Sequence, residues 1–310
     1  MQLIRALGFY FPTTVLFVDD DQSFLKGLKV KFDGQLLAKL ETNPLSAFDI
    51  MSGQSLQDED LIETIDEDEL DQDYACPINI PLPAIIEKAK NADRFDEVSV
   101  MVVDYSMPEM TGLALCEKLQ NHPVKKIMLT GDSDQSIAIE AFNKGVIDHF
   151  VRKDRPDLIS HLCGVIQLLQ QKYFQERTSF ILKAARAISP SFLSSEQFLP
   201  EFNRFIAKHD IVEFYLIDRG GSFFARNRRG ESFCFLVKDE EEMARLIAIA
   251  ENADTLPQIF DALKEHKKMV YFLRERDQSR PLSEWAEISH AVSARADGFF
   301  LAYVEGLIKI

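Results

Sequence analysis

The sequence predicts an α/β fold, a doubly wound parallel sheet, followed by a long connecting helix and a smaller α+β domain with an antiparallel sheet. Three observations carry this expectation. VLFV at 15–18 is all apolar, the pattern of a strand covered on both faces, and MVVD at 101–104 reads as a buried strand running into a loop. Segments of helical period alternate with such runs up to HFVRK at 149–153, which argues a right-handed, parallel arrangement. Beyond Ser189-Pro190 the order changes to strands first and helices after, as in α+β domains. The expected boundaries are 13–155 with an acidic insertion at about 51–95, a connecting helix over 156–188, and a second domain over 190–310.

In order, VLFV ends in Asp19-Asp20-Asp21. SFLKGLKVKF carries Phe24, Leu25, Leu28 and Phe32 at helical spacing, and LLAKLETN reads as a second strand leading into Pro44, a good first residue for a helix. Residues 58–73, DEDLIETIDEDELDQD, are mostly carboxylates with Leu61, Ile62, Ile65 and Leu70 at helical spacing. They read as an amphipathic helix or a mobile acidic loop, and lack the glycine and terminal glutamate of an EF-hand calcium loop. PLPAIIEKAKNADRF is a proline-started helix before the central strand at 98–104. LALCEKLQ is a helix, KKIMLTG a strand ending in Thr130, SIAIEAFNKG a helix closed by Gly145, and HFVRK a last strand ending in Lys153.

From Pro156 a helical pattern follows in which Ile159, Leu162, Ile166, Leu169 and Tyr173 keep heptad-like spacing until Glu176 interrupts it. Part of that stripe covers the sheet, and the rest is available to pair with another chain or to carry motion. FLPEFNRFIAKH is a short amphipathic helix. VEFYLI, SFFAR and SFCFLV are strands separated by Arg219-Gly220-Gly221 and Arg229-Gly230. Helices follow at about 240–253 and 257–267, then a strand KMVYFL, a helix PLSEWAEISHAV and a final strand FFLAYVE.

The 310 residues suffice for two cores, and a 46% hydrophobic composition is that of a globular chain. A net charge of −15 argues against non-specific attraction to nucleic acid or anionic membrane. The four cysteines, Cys76, Cys116, Cys163 and Cys234, have no metal-type spacing and read as reduced thiols. The N-terminal apolar stretch runs into aspartates without a small-residue cleavage site, and no run reaches the roughly 20 apolar residues of a membrane span. The expected location is the cytoplasm.

The strand ends bring Asp19, Asp20, Asp104, Thr130 and Lys153 to one edge of the sheet, where open α/β folds place their chemistry. Carboxylates around one point repel unless a cation sits among them, and oxygen-only ligands suit Mg²⁺. With that charge partly neutralised, Asp104 is able to act as a nucleophile towards phosphorus. Thr130 and Lys153 are the donors that an incoming phosphoryl group needs. Each group alone has an ordinary explanation, since Asp-Asp after a strand is often a helix cap. It is their order along the chain that points to a phosphoacceptor site.

FVDDD, DYSMPEMTG, LTG and FVRK resemble the motifs of the response-regulator receiver domain of bacterial two-component systems, over about residues 13–170. The resemblance implies a flavodoxin-like receiver in which Asp104 is phosphorylated and Asp19 and Asp20 help to hold Mg²⁺. It makes the backbone carbonyl of Ser106 a further metal ligand, Thr130 the switching hydroxyl, Lys153 the phosphoryl contact and Phe150 the aromatic switch. The donor is then a sensor histidine kinase or histidine phosphotransfer protein, with no enzymatic activity beyond self-catalysed aspartyl phosphorylation and dephosphorylation. The layout is also similar to some quorum-sensing response regulators, which pair a non-standard receiver with an unassigned output domain.

The chain departs from the family in three ways. The interval from the acidic pair to Asp104 is about twice the usual, Asp154 replaces the proline that normally follows the lysine, and the Gly145–Lys153 connection is one residue longer. A trans Lys153–Asp154 bond is expected to shift how the lysine is presented.

The expected readout is a changed homodimer or receiver–output contact, acting on a downstream protein or small ligand. No helix-turn-helix opens the second domain, so direct DNA binding is not expected, and no cyclic-dinucleotide signature is present. The competing reading is a nucleotide or small-ligand module that uses an anion site at Arg219, Arg226, Arg228 and Arg229. A metal-dependent phosphatase needs a second acid–base group beside Asp104, where only Tyr105 and Ser106 follow.

Overall fold

Elements form where the apolar pattern, the caps and the turns agree. The computed structural model describes residues 8–54, 63–64, 78–79, 82–131, 134–188, 193, 195–218, 220–251, 257–273 and 280–308, without side-chain detail at 63–64, 78–79 and 180–188. In chain order these hold β1 (Phe9–Tyr10), β2 (Thr14–Val18), α1 (Gln22–Phe32), β3 (Leu37–Glu41), α2 (Pro44–Ser52), β4 (Glu63–Thr64), β5 (Ile78–Asn79), α3 (Leu82–Lys90), β6 (Val98–Asp104), α4 (Gly112–Lys118), β7 (Lys125–Thr130), α5 (Gln135–Asn143) and β8 (His149–Arg152). They continue with α6 (Leu158–Ile188), α7 (Phe198–His209), β9 (Ile211–Leu216), β10 (Phe223–Asn227), β11 (Ser232–Lys238), α8 (Glu240–Glu251), α9 (Pro257–Lys264), β12 (Lys268–Val270), β13 (Ser289–Ala291), β14 (Ala294–Ala296) and β15 (Phe299–Glu305).

The chain forms two units. One comprises 11–58 and 91–177, the other 1–10, 59–90 and 178–310. This division differs from the sequence boundaries 13–155, 156–188 and 190–310. Of the insertion, residues 63–64, 78–79 and 82–90 group with the second unit while its two ends stay with the first, and the border between the units falls inside α6.

The first unit is a five-stranded sheet of order β3-β2-β6-β7-β8 in which every pairing is parallel. Alternate residues of its strands feed two cores. Leu16, Val18, Met101, Val103 and Met128 meet Ala47, Met51, Leu115, Cys116, Ala138 and Ala141 of α2, α4 and α5. Val15, Phe17, Val100, Val102, Ile127 and Leu129 meet Leu25, Leu28 and Phe32 of α1 and Leu162, Ile166 and Leu169 of α6. Caps fix where the helices start: the Asn43 side chain accepts from the N–H groups of Leu45 and Ser46, with Pro44 in the first turn of α2. Gly145, at φ 71°, turns the chain out of α5 towards β8.

The second unit is a six-stranded antiparallel sheet of order β1-β9-β10-β11-β15-β14. The β9–β10–β11 meander and the closing β15 lie where the sequence places them. On α7, Phe198, Phe202, Phe205 and Ile206 are buried, and Phe202 meets Phe214, Phe223 and Phe235 of the sheet at ring distances of 5.1, 4.6 and 5.4 Å.

Two helical expectations fail. PLSEWAEISHAV is not a helix: Leu282–Glu284 forms one 3₁₀ turn, and Ser289–Ala291 pairs antiparallel with Lys268–Val270. Pairing with β12 outweighs the local helical period. Glu63–Thr64, inside the acidic stretch read as an amphipathic helix or a mobile loop, is a strand paired with Ile78–Asn79, which departs from the helical alternative, while most of 58–73 lies outside the described residues. Among the described residues no helix is long and apolar enough to cross a membrane.

Candidate functional site

Asp104 ends β6 because the strand is buried along its whole length and the chain then turns through Met107-Pro108. Its neighbour β7 ends in Thr130, and β8 runs beside β7 with Thr130 opposite Arg152. The Lys153 N–H donates to the Thr130 carbonyl at 3.0 Å, which continues the ladder by one residue and aims the lysine back across the strand ends. Its ammonium reaches Asp19 Oδ2 at 2.7 Å and Asp104 Oδ1 at 2.9 Å. Every peptide bond of the described residues is trans, Lys153–Asp154 included. The lysine reaches both carboxylates all the same.

The three aspartates after β2 divide their work. Asp21 caps α1, its carboxylate accepting from the N–H groups of Ser23 and Phe24, and its own N–H donates to Asp19 Oδ1 at 2.9 Å. Asp19 and Asp20 turn instead towards Asp104: one carboxylate oxygen from each of the three lies within 4.8 Å of the others. Asp19 and Asp104 are buried and Asp20 is exposed. Burial raises the pKa of Asp19 above the ordinary carboxylate value, against the hydrogen bonds from Lys153 and the Asp21 N–H. Burial pulls Lys153 down, but its bonds to Asp104 and Asp19 outweigh that and leave its pKa above the usual lysine value. This oxygen-only donor set, with two members buried and one open to water, fits Mg²⁺, which binds through a few carboxylates and keeps several waters.

Thr130 is fully buried, and its Oγ1 has no hydrogen-bond partner among the described residues. A polar atom buried without a partner is costly unless some state of the protein satisfies it. Phe150 is half-buried, packed on the core under α4 and α5, with its ring edge-on to Phe142 at 6.3 Å. Ser106 is exposed in the turn after Asp104.

A matching family and one related structure decide what this edge belongs to. The family model for the response regulator receiver domain matches residues 79–162. The solved structure of the Legionella pneumophila response regulator LqsR is similar at 30% identity and a TM-score of 0.77, over 100% of this chain and 92% of that one. The chain belongs to the response-regulator family. A curated relative, the cyclic di-GMP phosphodiesterase response regulator RpfG of Xanthomonas campestris pv. campestris, is 25% identical over 237 residues. That match covers 68% of this response regulator and only 60% of the relative's length.

Of the site residues expected from the sequence, the structure brings Asp19, Asp20, Asp104 and Lys153 together and buries Thr130 one strand away. It does not gather the arginines of the second unit onto one acceptor. Arg226 donates to the Ala89 carbonyl at 3.1 Å, Arg228 lies 3.7 Å from Asp210, and Arg229 lies 3.2 Å from Glu231, while Arg219 is outside the described residues. Sequence reasoning read Gly112 only as the end of the loop and missed its close approach: its N–H donates to the Tyr105 carbonyl at 3.0 Å, and its α-carbon lies against the backbone of Asp104. The signal was there: a glycine closing a short loop after a strand marks a close backbone approach.

Proposed function

We propose that this response regulator accepts a phosphoryl group on Asp104 from a sensor histidine kinase or histidine phosphotransfer protein, and passes the change to its second unit or to a homodimer interface. The observation that supports this is the single ammonium of Lys153 held by Asp104 and Asp19 together, within a cluster of three converging carboxylates. In the transfer, a carboxylate oxygen of Asp104 bonds to phosphorus as the phosphorus–nitrogen bond to the donor histidine breaks, and the departing imidazole takes up a proton from water. Asp19, Asp20, Asp104 and the backbone carbonyl of Ser106 would hold Mg²⁺. When bound, that ion offsets the charge of the carboxylates and of the incoming oxygens.

Lys153 exchanges its contact with Asp104 for a phosphoryl oxygen, a point charge on a stem able to follow it. The added oxygens offer Thr130 Oγ1 the acceptor it lacks, and an inward shift of Thr130 lets the half-buried Phe150 follow. The readout is a downstream protein or small ligand, and a quorum-sensing circuit is the proposed context.

The test is intact-mass analysis after incubation with acetyl phosphate. One phosphoryl group per chain is expected with Mg²⁺, and none when the ion is chelated or in Asp104→Asn. Label of equal size on the Asp104→Asn protein would contradict the proposal.

A further inference from the structure

Lys153 has a third contact that the phosphorylation reading does not use. Its ammonium stands 4.9 Å from the centre of the Phe24 ring, in addition to the carboxylates of Asp19 and Asp104. An ammonium within about 6 Å of a ring centroid is attracted by the negative face of the ring. Phe24 is half-buried, resting on the core beneath α1.

The ring is placed by the same groups that build the site. The Phe24 N–H donates to Asp21 Oδ1 at 3.1 Å, the Asp21 N–H donates to Asp19 Oδ1 at 2.9 Å, and Asp19 Oδ2 receives Lys153 at 2.7 Å. The chain of contacts therefore closes on itself, from Asp19 through Asp21 and Phe24 back to the lysine that Asp19 holds.

We propose that Phe24 is a positioning residue for Lys153, its ring confining the ammonium to the side of Asp104 from which it meets an incoming phosphoryl oxygen. The inference rests on the phosphorylation reading. A lysine stem has four rotatable carbons, and holding its end costs rotamer entropy. The two carboxylates hold the ammonium before transfer, but Asp104 gives up charge as its oxygen bonds to phosphorus. The ring does not change during the reaction. It keeps the ammonium in place when one of its two anionic partners weakens.

The test has two arms on the full chain. In the first, initial rates of labelling by acetyl phosphate at saturating Mg²⁺ are compared for wild type, Phe24→Leu and Phe24→Trp. Leucine keeps an apolar side chain without the quadrupole, and tryptophan restores it, so the leucine variant is expected to be slower by about two- to fivefold and the tryptophan variant to recover. A role in packing alone makes tryptophan, the larger misfit, the worse of the two. In the second arm, urea unfolding of Phe24→Leu, Lys153→Met and the double variant reads the coupling between ring and ammonium without needing activity. The expected coupling corresponds to about two- to fivefold in the unfolding constant.

Labelling of Phe24→Leu at the wild-type rate, or additive effects in the cycle, would overturn the inference while leaving phosphorylation intact. Failure of the wild type itself to label would overturn the reading on which it rests. Where the leucine variant has no folded baseline, Phe24→Met, which also removes the ring and keeps an apolar side chain, takes its place in both arms.

Discussion

A Cβ at position 112 would stand 2.1 Å from the carbonyl oxygen of Asp104 and 2.9 Å from its carbonyl carbon. Neither atom is the end of a flexible side chain, so the backbone that carries Asp104 has to move. Gly112→Ala is expected to cost about 1–3 kcal/mol in urea unfolding and to slow labelling of the protein by acetyl phosphate. A variant that matched the wild type in both would show that this approach does not matter. Cys116 and Cys234 make a second prediction at this scale. Burial pushes both thiols from the ordinary 9.0 up to about 12. At pH 8 the thiolate fraction of each is then on the order of one in ten thousand, so iodoacetamide should spare both in the native protein and modify both in urea, read by peptide mass. Between 9 and about 12 the unfolded chain releases thiol protons that the folded chain keeps, so these groups make stability fall as pH rises through that range.

Helix α6 buries the stripe that its sequence spacing marks out. The heptad-like stripe in the sequence becomes buried Leu162, Ile166, Leu169 and Tyr173, and polar bonds pin the helix beside the sheet. Gln170 donates to Thr13 Oγ1 at 3.2 Å, the Tyr173 hydroxyl donates to Glu97 at 3.0 Å, and Glu176, where the stripe breaks, pairs with Lys125. Ile166 is fully buried among Val15, Phe17 and their neighbours, so Ile166→Ala is expected to destabilise the protein by about 2–5 kcal/mol, seen as a lower urea midpoint. An unchanged midpoint would mean that α6 is not a wall of this core. The strands β2, β6 and β7 of the first unit were legible because each holds a short apolar run stopped by an acid or a glycine, while LAKLE and HFVR were placed by the helical segments between them. PLSEWAEISHAV was not legible, because its final residues form a strand only by pairing with Lys268–Val270, and a window confined to the segment sees helical spacing.

Across the whole molecule, the site was more legible than the partition of the chain. Asp19, Asp20, Asp104, Thr130 and Lys153 could be read from position alone, since parallel strands of similar length end at one edge. Nothing local in Phe9–Tyr10 announces that these residues pair with Tyr215 and Phe214 and so form an edge of the second sheet. The chain passes between the two units after Tyr10, Asp58, Lys90 and Arg177, so a cut at the apparent linker separates residues that belong together. A fragment beginning at residue 178 lacks β1 and leaves the edge of β9 bare; it is expected to aggregate or melt below the full chain, and equal melting of the two would contradict this. The central claim, that the convergence of strand ends makes Asp104 the phosphoacceptor, is tested most directly by treating the acetyl-phosphate-labelled protein with borohydride, which reduces an acyl phosphate to the alcohol. Conversion of Asp104 to homoserine in the peptide map is the predicted result, and a labelled protein in which Asp104 is unreduced while another carboxylate is converted would contradict it.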